Sequence, residues 1–290
     1  MLADFFRLNP GFRIFESPKE LGDLLLVSKH VANILYRPDE WTPTRPSNRV
    51  SDTTFENVSF SKTELIGLEF QNCKFKDCLF IGATIRNTEF HQCTFEGCNP
   101  HKIVFQDTYI DPSIFSGMLN EKEHSNIGVH LFQSLLRNSV STQQRDFAQV
   151  AEFYFRRWQR YQHNYEARTG RISRSAWLRS WIPSVVFEYF AGYGLRSRYL
   201  AVWTAVLLIV IGVFNYAFWH QLGIAAATEA PQQRSFTDAI YFTVITMTTI
   251  GYGDFVPTTA FGRLSVAFEG GIGLVLLGTF AATVIKKLVR

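Results

Sequence analysis

The sequence predicts a multidomain chain in which a repeat-built segment and a helical hairpin precede an all-α, membrane-spanning module. Three observations carry this reading. From Phe55 to Phe115 a large or apolar residue recurs at every fifth position. From Tyr199 to Thr228 there is no Asp, Glu, Lys or Arg, and after Arg263 only Glu269 interrupts the run to Ile285. Between these two runs lies SFTDAIYFTVITMTTIGYGDFVP, which is too apolar for a free loop. Of the 290 residues 47% are hydrophobic and 19% charged, which excludes disorder. A net charge of +4 is too mild to argue for a nucleic-acid partner, and none is expected.

Residues 1–50 read as an N-terminal helical cap. Ser17-Pro18-Lys19-Glu20 is a capping box with proline at the first helical position, and Leu21, Leu24, Leu25, Val31, Ile34 and Leu35 continue the helix to Pro38. This helix would cover the open edge of the repeats. No cleavable signal is expected, since the apolar run Leu24 to Val27 is short and Asp4, Lys19, Glu20 and Asp23 surround it.

Residues 51–117 carry the five-residue period, with Pro100 as the one departure. Two residues before each large side chain sits a mostly small or apolar one, a register that holds all four cysteines, Cys73, Cys78, Cys93 and Cys98. This pattern resembles the pentapeptide-repeat family. The resemblance implies a right-handed quadrilateral β-solenoid with four repeats per coil, in which each coil buries its core against its neighbours. Zinc is the other reading of four cysteines, but the short C-x₂₋₄-C knuckle is missing, so buried free thiols in a reducing compartment are expected. His91 and His101 match neither inward register and read as surface residues. Some members of the family mimic DNA with a strongly negative surface; nine acids against five bases in residues 51–117 make too weak a field for that. A rigid docking or regulatory module, open to an unknown ligand or protein, is the expectation.

Residues 118–170 read as a helical hairpin, Ile127 to Arg137 and Gln143 to Arg168, with Ser141 and Gln144 as a second capping box and Gly170 as the stop. Residues 171–198 mix arginines with Trp177, Trp181, Phe187 and Phe190, a composition suited to the headgroup boundary, and read as an interfacial slide element broken at Pro183.

Residues 199–290 form the membrane module. Tyr199 to Trp219 and Leu264 to Ile285 are each long enough, at about 1.5 Å per residue, to cross a hydrocarbon core of roughly 30 Å. Arg179, Arg196 and Arg198 before the first span and Lys286, Lys287 and Arg290 after the second place both termini in the cytoplasm of a plasma-membrane protein. The joining segment must then re-enter the membrane. Irregular backbone at that depth persists only inside protein or along a watery cavity. Thr248-Thr249-Ile250-Gly251-Tyr252-Gly253-Asp254 suits such a place, because a row of carbonyls facing one axis needs residues able to take positive φ at alternating positions, and Gly251 and Gly253 supply them.

Here the chain resembles the potassium-channel pore. The twin threonine, Asp254, Pro257 and Gly262-Arg263 agree with it, over about 90 residues from Tyr199. The resemblance implies a homotetramer in the lipid bilayer that conducts K+ passively. Its filter would comprise Thr249, Ile250, Gly251, Tyr252 and Gly253, with K+ held by backbone oxygens and the Thr249 hydroxyl. Tyr252, where non-selective relatives carry Asp, points to potassium, and would brace the filter against the pore helix Thr237 to Met247. Thr248, Asp254, Tyr241 and Glu269 are the expected filter supports. Relatives pair the outer Asp with a pore-helix Glu, but Ile245 stands in that place, so the Tyr241 hydroxyl is expected to reach Asp254. Glu269 either bonds Thr243 or Thr246 behind the filter or snorkels to the outer interface. Gly273 aligns with the gating hinge, though close helix packing explains such a glycine equally well. Leu274, Leu277 and Ala281 would line the cavity. Gly192-Tyr193-Gly194 is a decoy, lacking the threonine pair and the apolar helix before it.

No voltage sensor is visible, since Arg156, Arg157 and Arg160 lie in a polar segment. No catalytic cluster or phosphate loop appears, so neither an enzyme nor a cofactor other than the transported ion is expected. A membrane-anchored repeat scaffold with a degenerate pore is the alternative, and the intact TTIGYGD argues against it.

Overall fold

The computed structural model describes residues 4–43, 48–191, 197–226 and 235–288. It divides into two compact units, Met1–Ile182 and Pro183–Arg290.

Parallel strands stacked at a twenty-residue register build the first unit. Phe55 pairs with Phe75 and Phe75 with Phe95; Leu65 pairs with Ile85 and Ile85 with Phe105; Val50 pairs with Phe70 and Phe70 with Phe90. A fourth line of single bridges joins Ser59, Leu79 and Asn99. The large residues of the five-residue period all face the core, from Phe55 at 0% exposure to Phe95 at 6%, and Pro100 is buried with them. Successive rings stack, with centroids 5.0 Å apart for Phe55 and Phe75 and 4.7 Å for Phe75 and Phe95.

The preceding register has a second use. The thiols of Cys73, Cys78, Cys93 and Cys98 donate to the carbonyls of Val50, Phe55, Phe70 and Phe75, twenty-three residues back, at 3.3 to 3.5 Å. The hydroxyls of Thr88 and Thr108 do the same to Leu65 and Ile85. A small hydrogen-bond donor fits here, which accounts for Cys and Thr at these positions, while Val58, Leu68, Ala83 and Ile103 fill the same register with apolar groups. Burial pushes the Cys78 thiol well above its ordinary pKa.

A third register emerges only from the backbone. Asp52, Asn57, Lys62, Gly67, Asn72, Asp77, Gly82, Asn87, Gln92, Gly97, Lys102 and Asp107 all have φ between +48° and +67°. Asn, Asp and Gly tolerate the left-handed region best and dominate the set.

The N-terminal segment departs from the expected single helix. The capping box forms, with Glu20 Oε1 accepting from Ser17 N at 2.9 Å, and α1 spans Pro18–Val27 with Leu21 in the core. Residues His30–Tyr36 are instead a strand, parallel to Thr54–Ser59. Parallel pairing thus begins upstream of residue 51. Val31 pairs with Phe55 and Trp41 with Leu65, twenty-four residues apart rather than twenty, and this longer coil hides the period.

At the other end the last coil is covered by α2, Ser125–Ser141. Ser134 Oγ accepts from Phe105 N at 3.0 Å, while Asn138 accepts from Thr108 N and donates to Thr108 O, so side chains satisfy an edge that would otherwise recruit another strand. Helix α3, Arg145–Arg168, packs on α2, and Gly128 has no room for a Cβ because the Trp158 ring lies against it. The expected capping box at Ser141 is absent: Ser141 ends α2, and its hydroxyl donates back to Asn138 O. Gly170, at φ +72°, stops α3 as expected. The two histidines are not plain surface groups. His91 bonds Glu89 at 2.8 Å and stacks on Tyr109, and His101 meets the edge of Phe6.

Helix α4, Arg174–Ala191, runs through Pro183 without the expected break. A proline inside a helix removes one hydrogen bond and crowds the carbonyl four residues back, a cost this helix bears without ending. Gly192-Tyr193-Gly194 lies outside the described residues.

In the second unit α5 spans Ser197–Ala217, α6 spans Trp219–Leu222, α7 spans Phe236–Met247 and α8 spans Ala260–Leu288. Within α8, Ala260–Ala282 is, among the described residues, one stretch long and apolar enough to cross a membrane; Ala201–Ala217 is a shorter apolar stretch. An antiparallel pair, Ile224–Ala226 with Phe255–Pro257, ties the end of the α5–α6 region to the segment after α7.

Candidate functional site

Helix α7 begins at an N-cap, Ser235, whose hydroxyl accepts from Thr237 N, and it buries Ala239, Phe242, Thr243, Ile245 and Met247 between α5 and α8. The segment between the two charge-free runs is therefore a packed helix, as its apolar character predicts. Its last carbonyls do not go to water. Ile245 O accepts from both Ile250 N (3.0 Å) and Gly251 N (3.1 Å), Thr246 O from Thr249 N, and Val244 O from the Thr248 hydroxyl at 2.6 Å. The start of the glycine-rich segment is thus fastened to the helix end, where the partial negative charge of the helix dipole lies.

From there the chain turns left-handed at every second residue: Thr249 at φ +60°, Gly251 at +50° and Gly253 at +79°. This is the alternation that a row of carbonyls directed to one side requires. Two of the three positions are the glycines that the sequence singles out. The third is a β-branched residue in a region costing roughly 1–2 kcal/mol, and composition gives no sign of it. Ile250 is 54% and Tyr252 70% exposed in the single chain, so the brace expected of Tyr252 awaits a surface outside it.

Behind this segment three helices share polar groups. Asn215 of α5, Thr243 of α7 and Glu269 of α8 are all buried. Asn215 Nδ2 donates to Thr243 Oγ1 at 2.9 Å and to Glu269 Oε2 at 3.0 Å, and the Thr243 hydroxyl donates to Ala239 O. Glu269, at 4% exposure, therefore sits beside the pore helix, and its link to Thr243 passes through an amide that the sequence reading overlooked. The signal was present: Asn215 is the one carboxamide in the apolar run Tyr199 to Trp219. One turn further along both helices, a Cβ on Gly273 would run into the backbone of Met247, whose Cα lies 2.5 Å from that position. Close packing thus accounts for glycine at 273.

Tyr241 and Asp254 lie within interaction range of each other, while Asp254 Oδ1 is buried with no hydrogen-bond partner among the described residues. Phe255 anchors the segment's far end on Trp219, 5.5 Å between centroids, and on Phe242. Gly262 allows α8 to start directly against Leu222 O, a contact any Cβ would block. Leu274, Leu277 and Ala281 are exposed in the single chain.

Residues 199–290 match the family described as "Ion channel", and residues 65–99 match pentapeptide repeats in eight copies. A two pore potassium channel b of Oryza sativa subsp. japonica is 32% identical over 101 residues, 35% of this chain and 28% of that protein. A hyperpolarization-activated voltage-gated potassium channel of Methanocaldococcus jannaschii is 50% identical over 63 residues, 22% of this chain and 28% of that protein. A voltage-gated potassium channel regulatory subunit of Rattus norvegicus is 26% identical over 100 residues, 34% of this chain and 20% of that protein. The matches cover less than a third of each relative's length. Residues 199–290 are thus similar to an ion-channel domain, with stretches shared with potassium channels, and residues 65–99 to pentapeptide repeats.

Proposed function

We propose that four copies of this chain assemble in the plasma membrane into a passive, potassium-selective channel with both termini in the cytoplasm. Helices α5 and α8 span the bilayer, and α7 is the re-entrant pore helix. The alternation of left-handed residues at Thr249, Gly251 and Gly253, fastened to the end of a buried helix, carries this reading. Carbonyls of Thr249, Ile250, Gly251 and Tyr252, with the Thr249 hydroxyl, replace water around K+. Gly253 completes the filter, Thr248, Asp254, Tyr241 and Glu269 support it, and Leu274, Leu277 and Ala281 line the cavity below.

The exposed apolar surface of the single chain supports assembly. Ile250, Tyr252 and much of α8 lack cover, and a soluble monomer seldom leaves so contiguous an apolar face in water. One filter segment per chain requires a symmetric ring to enclose an axis. The repeats form a right-handed quadrilateral solenoid that serves as a regulatory or docking module, and gating is independent of voltage. Gly273 acts as a hinge only if α8 separates from Met247 there. No cofactor is needed beyond the conducted ion.

Purified full-length chain in liposomes tests the proposal. Potassium should support a flux that sodium does not, and native mass spectrometry should report four chains. Equal fluxes of the two ions, or a monomer, would refute it.

A further inference from the structure

We propose that Asn215 is a positioning residue for ion selectivity, acting through Thr243 to hold the pore helix in register with the inner helix; this rests on the channel reading above. Asn215 lies on the outer helix and touches neither the filter segment nor the surface. Its one amide nitrogen serves two helices at once, giving a hydrogen to Thr243 Oγ1 at 2.9 Å and another to Glu269 Oε2 at 3.0 Å. An amide group has two such hydrogens, so a single side chain satisfies both acceptors.

The register of this contact gives it leverage. Thr243 and Met247 are one turn apart on α7, as Glu269 and Gly273 are on α8. The upper pair is joined through Asn215, and the lower pair is pressed together where Gly273 meets the Met247 backbone. Two contacts one turn apart fix both the height and the rotation of α7 against α8. The carbonyls of Val244, Ile245 and Thr246, which hold Thr248 to Gly251, lie between those two contacts. A slip of α7 at Thr243 therefore moves the anchors of the filter.

Hydrocarbon surroundings make the clasp hard to replace. With Asn215 removed, Thr243 Oγ1 and Glu269 Oε2 lose their donor in a buried place, and Glu269 Oε1 is already buried with no hydrogen-bond partner among the described residues. Relief requires a helix to shift.

The K+/Na+ permeability ratio of reconstituted full-length channels, read from reversal potentials, tests this. Asn215→Ala and Thr243→Val should each lower the ratio about tenfold, a change of the size a buried hydrogen bond carries. The double variant should be no less selective than the weaker single, because one residue acts through the other. Asn215→Ser, which keeps a donor on a shorter arm, should fall between. Selectivity unchanged in Asn215→Ala, or effects that multiply in the double variant, would overturn the proposal. If Asn215→Ala does not assemble, Thr243→Val alone decides, since it keeps the side-chain shape and removes the hydroxyl. Wild-type channels that do not select potassium would overturn the channel reading and this inference together; selective wild type with equally selective variants overturns the inference alone.

Discussion

Phe55, Phe75 and Phe95 in the repeat unit lie ring on ring and are at most 6% exposed, whereas Leu264 and Phe268 on α8 are each 73% exposed. The first unit builds one continuous apolar core from within its own chain. Each coil covers the next, α2 closes the last one, and even the edge N–H groups of Phe105 and Thr108 meet side chains. The second unit buries a smaller apolar set, Trp219, Leu222, Ile224, Phe242, Ile245 and Met247, together with the polar Asn215, Thr243 and Glu269, and leaves much of the apolar surface of α8 outward. A buried polar cluster beside an exposed apolar face is what the proposed membrane setting would select, since lipid supplies no drive to bury leucine but penalises an unpaired amide.

Both units rely on left-handed backbone, with different tolerance. In the repeats the left-handed position recurs every fifth residue and accepts Lys62, Gln92 and Lys102, whose side chains extend from the outer surface. In the segment from Thr249 to Gly253 it recurs every second residue. Gly251→Ala and Gly253→Ala should therefore abolish potassium flux while the β-sheet signal in circular dichroism persists; retained flux would break the contrast between the two regions. Phe75→Ala should have the next largest effect, costing the repeats about 3–5 kcal/mol. Hydrogen exchange should rise across residues 70–96 with that substitution, and an unaltered ion selectivity would show that the pore does not depend on the solenoid core.

Smaller changes sharpen the same comparison at the ends of the first unit. Ser17→Ala should cost about 1 kcal/mol, seen as faster exchange in α1 and nowhere in the second unit. The N-terminal segment is clamped by imidazoles, Phe5 stacked on His124 at 4.0 Å and Phe6 against His101. Burial lowers the pKa of both histidines; Lys102 and His130 push His101 the same way, while Glu123 opposes the effect at His124. The folded state thus favours the neutral rings. Their contribution is complete above the ordinary imidazole value of about 6.5 and is lost as pH falls below it. Exchange at residues 5–9 should accelerate on acidification through that range and stay level above it. Cys93→Thr should matter least, within about 0.5 kcal/mol, because Thr88 makes the equivalent bond to a carbonyl twenty-three residues back. A large loss there would mean that sulfur packing, and not the donor, sets the choice at this register.

Legibility followed the range of the interactions. The capping box at Ser17, the stop at Gly170, the helix ending at Met247 and the glycines at 251 and 253 depend on residues a few positions apart, so spacing reveals them. His30–Tyr36 was misread because Val31, Ile34 and Leu35 fit a helical stripe as well as a buried strand, and the arbiter, pairing with Thr54–Ser59, lies twenty-four residues away. Ser141 has the composition of a cap but ends a helix, because Asn138 beside it is committed to the edge of the solenoid at Thr108.

By itself, the sequence determined the five-residue core, the two long apolar helices and the glycines at the left-handed positions 251 and 253, since hydrophobic period and glycine placement are properties of neighbours along the chain. Only the tertiary structure decided that Asn215 sits between Thr243 and Glu269, that Gly273 is pressed to Met247 and that Thr249 turns left-handed. The first two depend on helices far apart in sequence arriving at one place, where a polar group must find a partner and a backbone must find room; the third is set where the chain folds back onto the last carbonyls of α7.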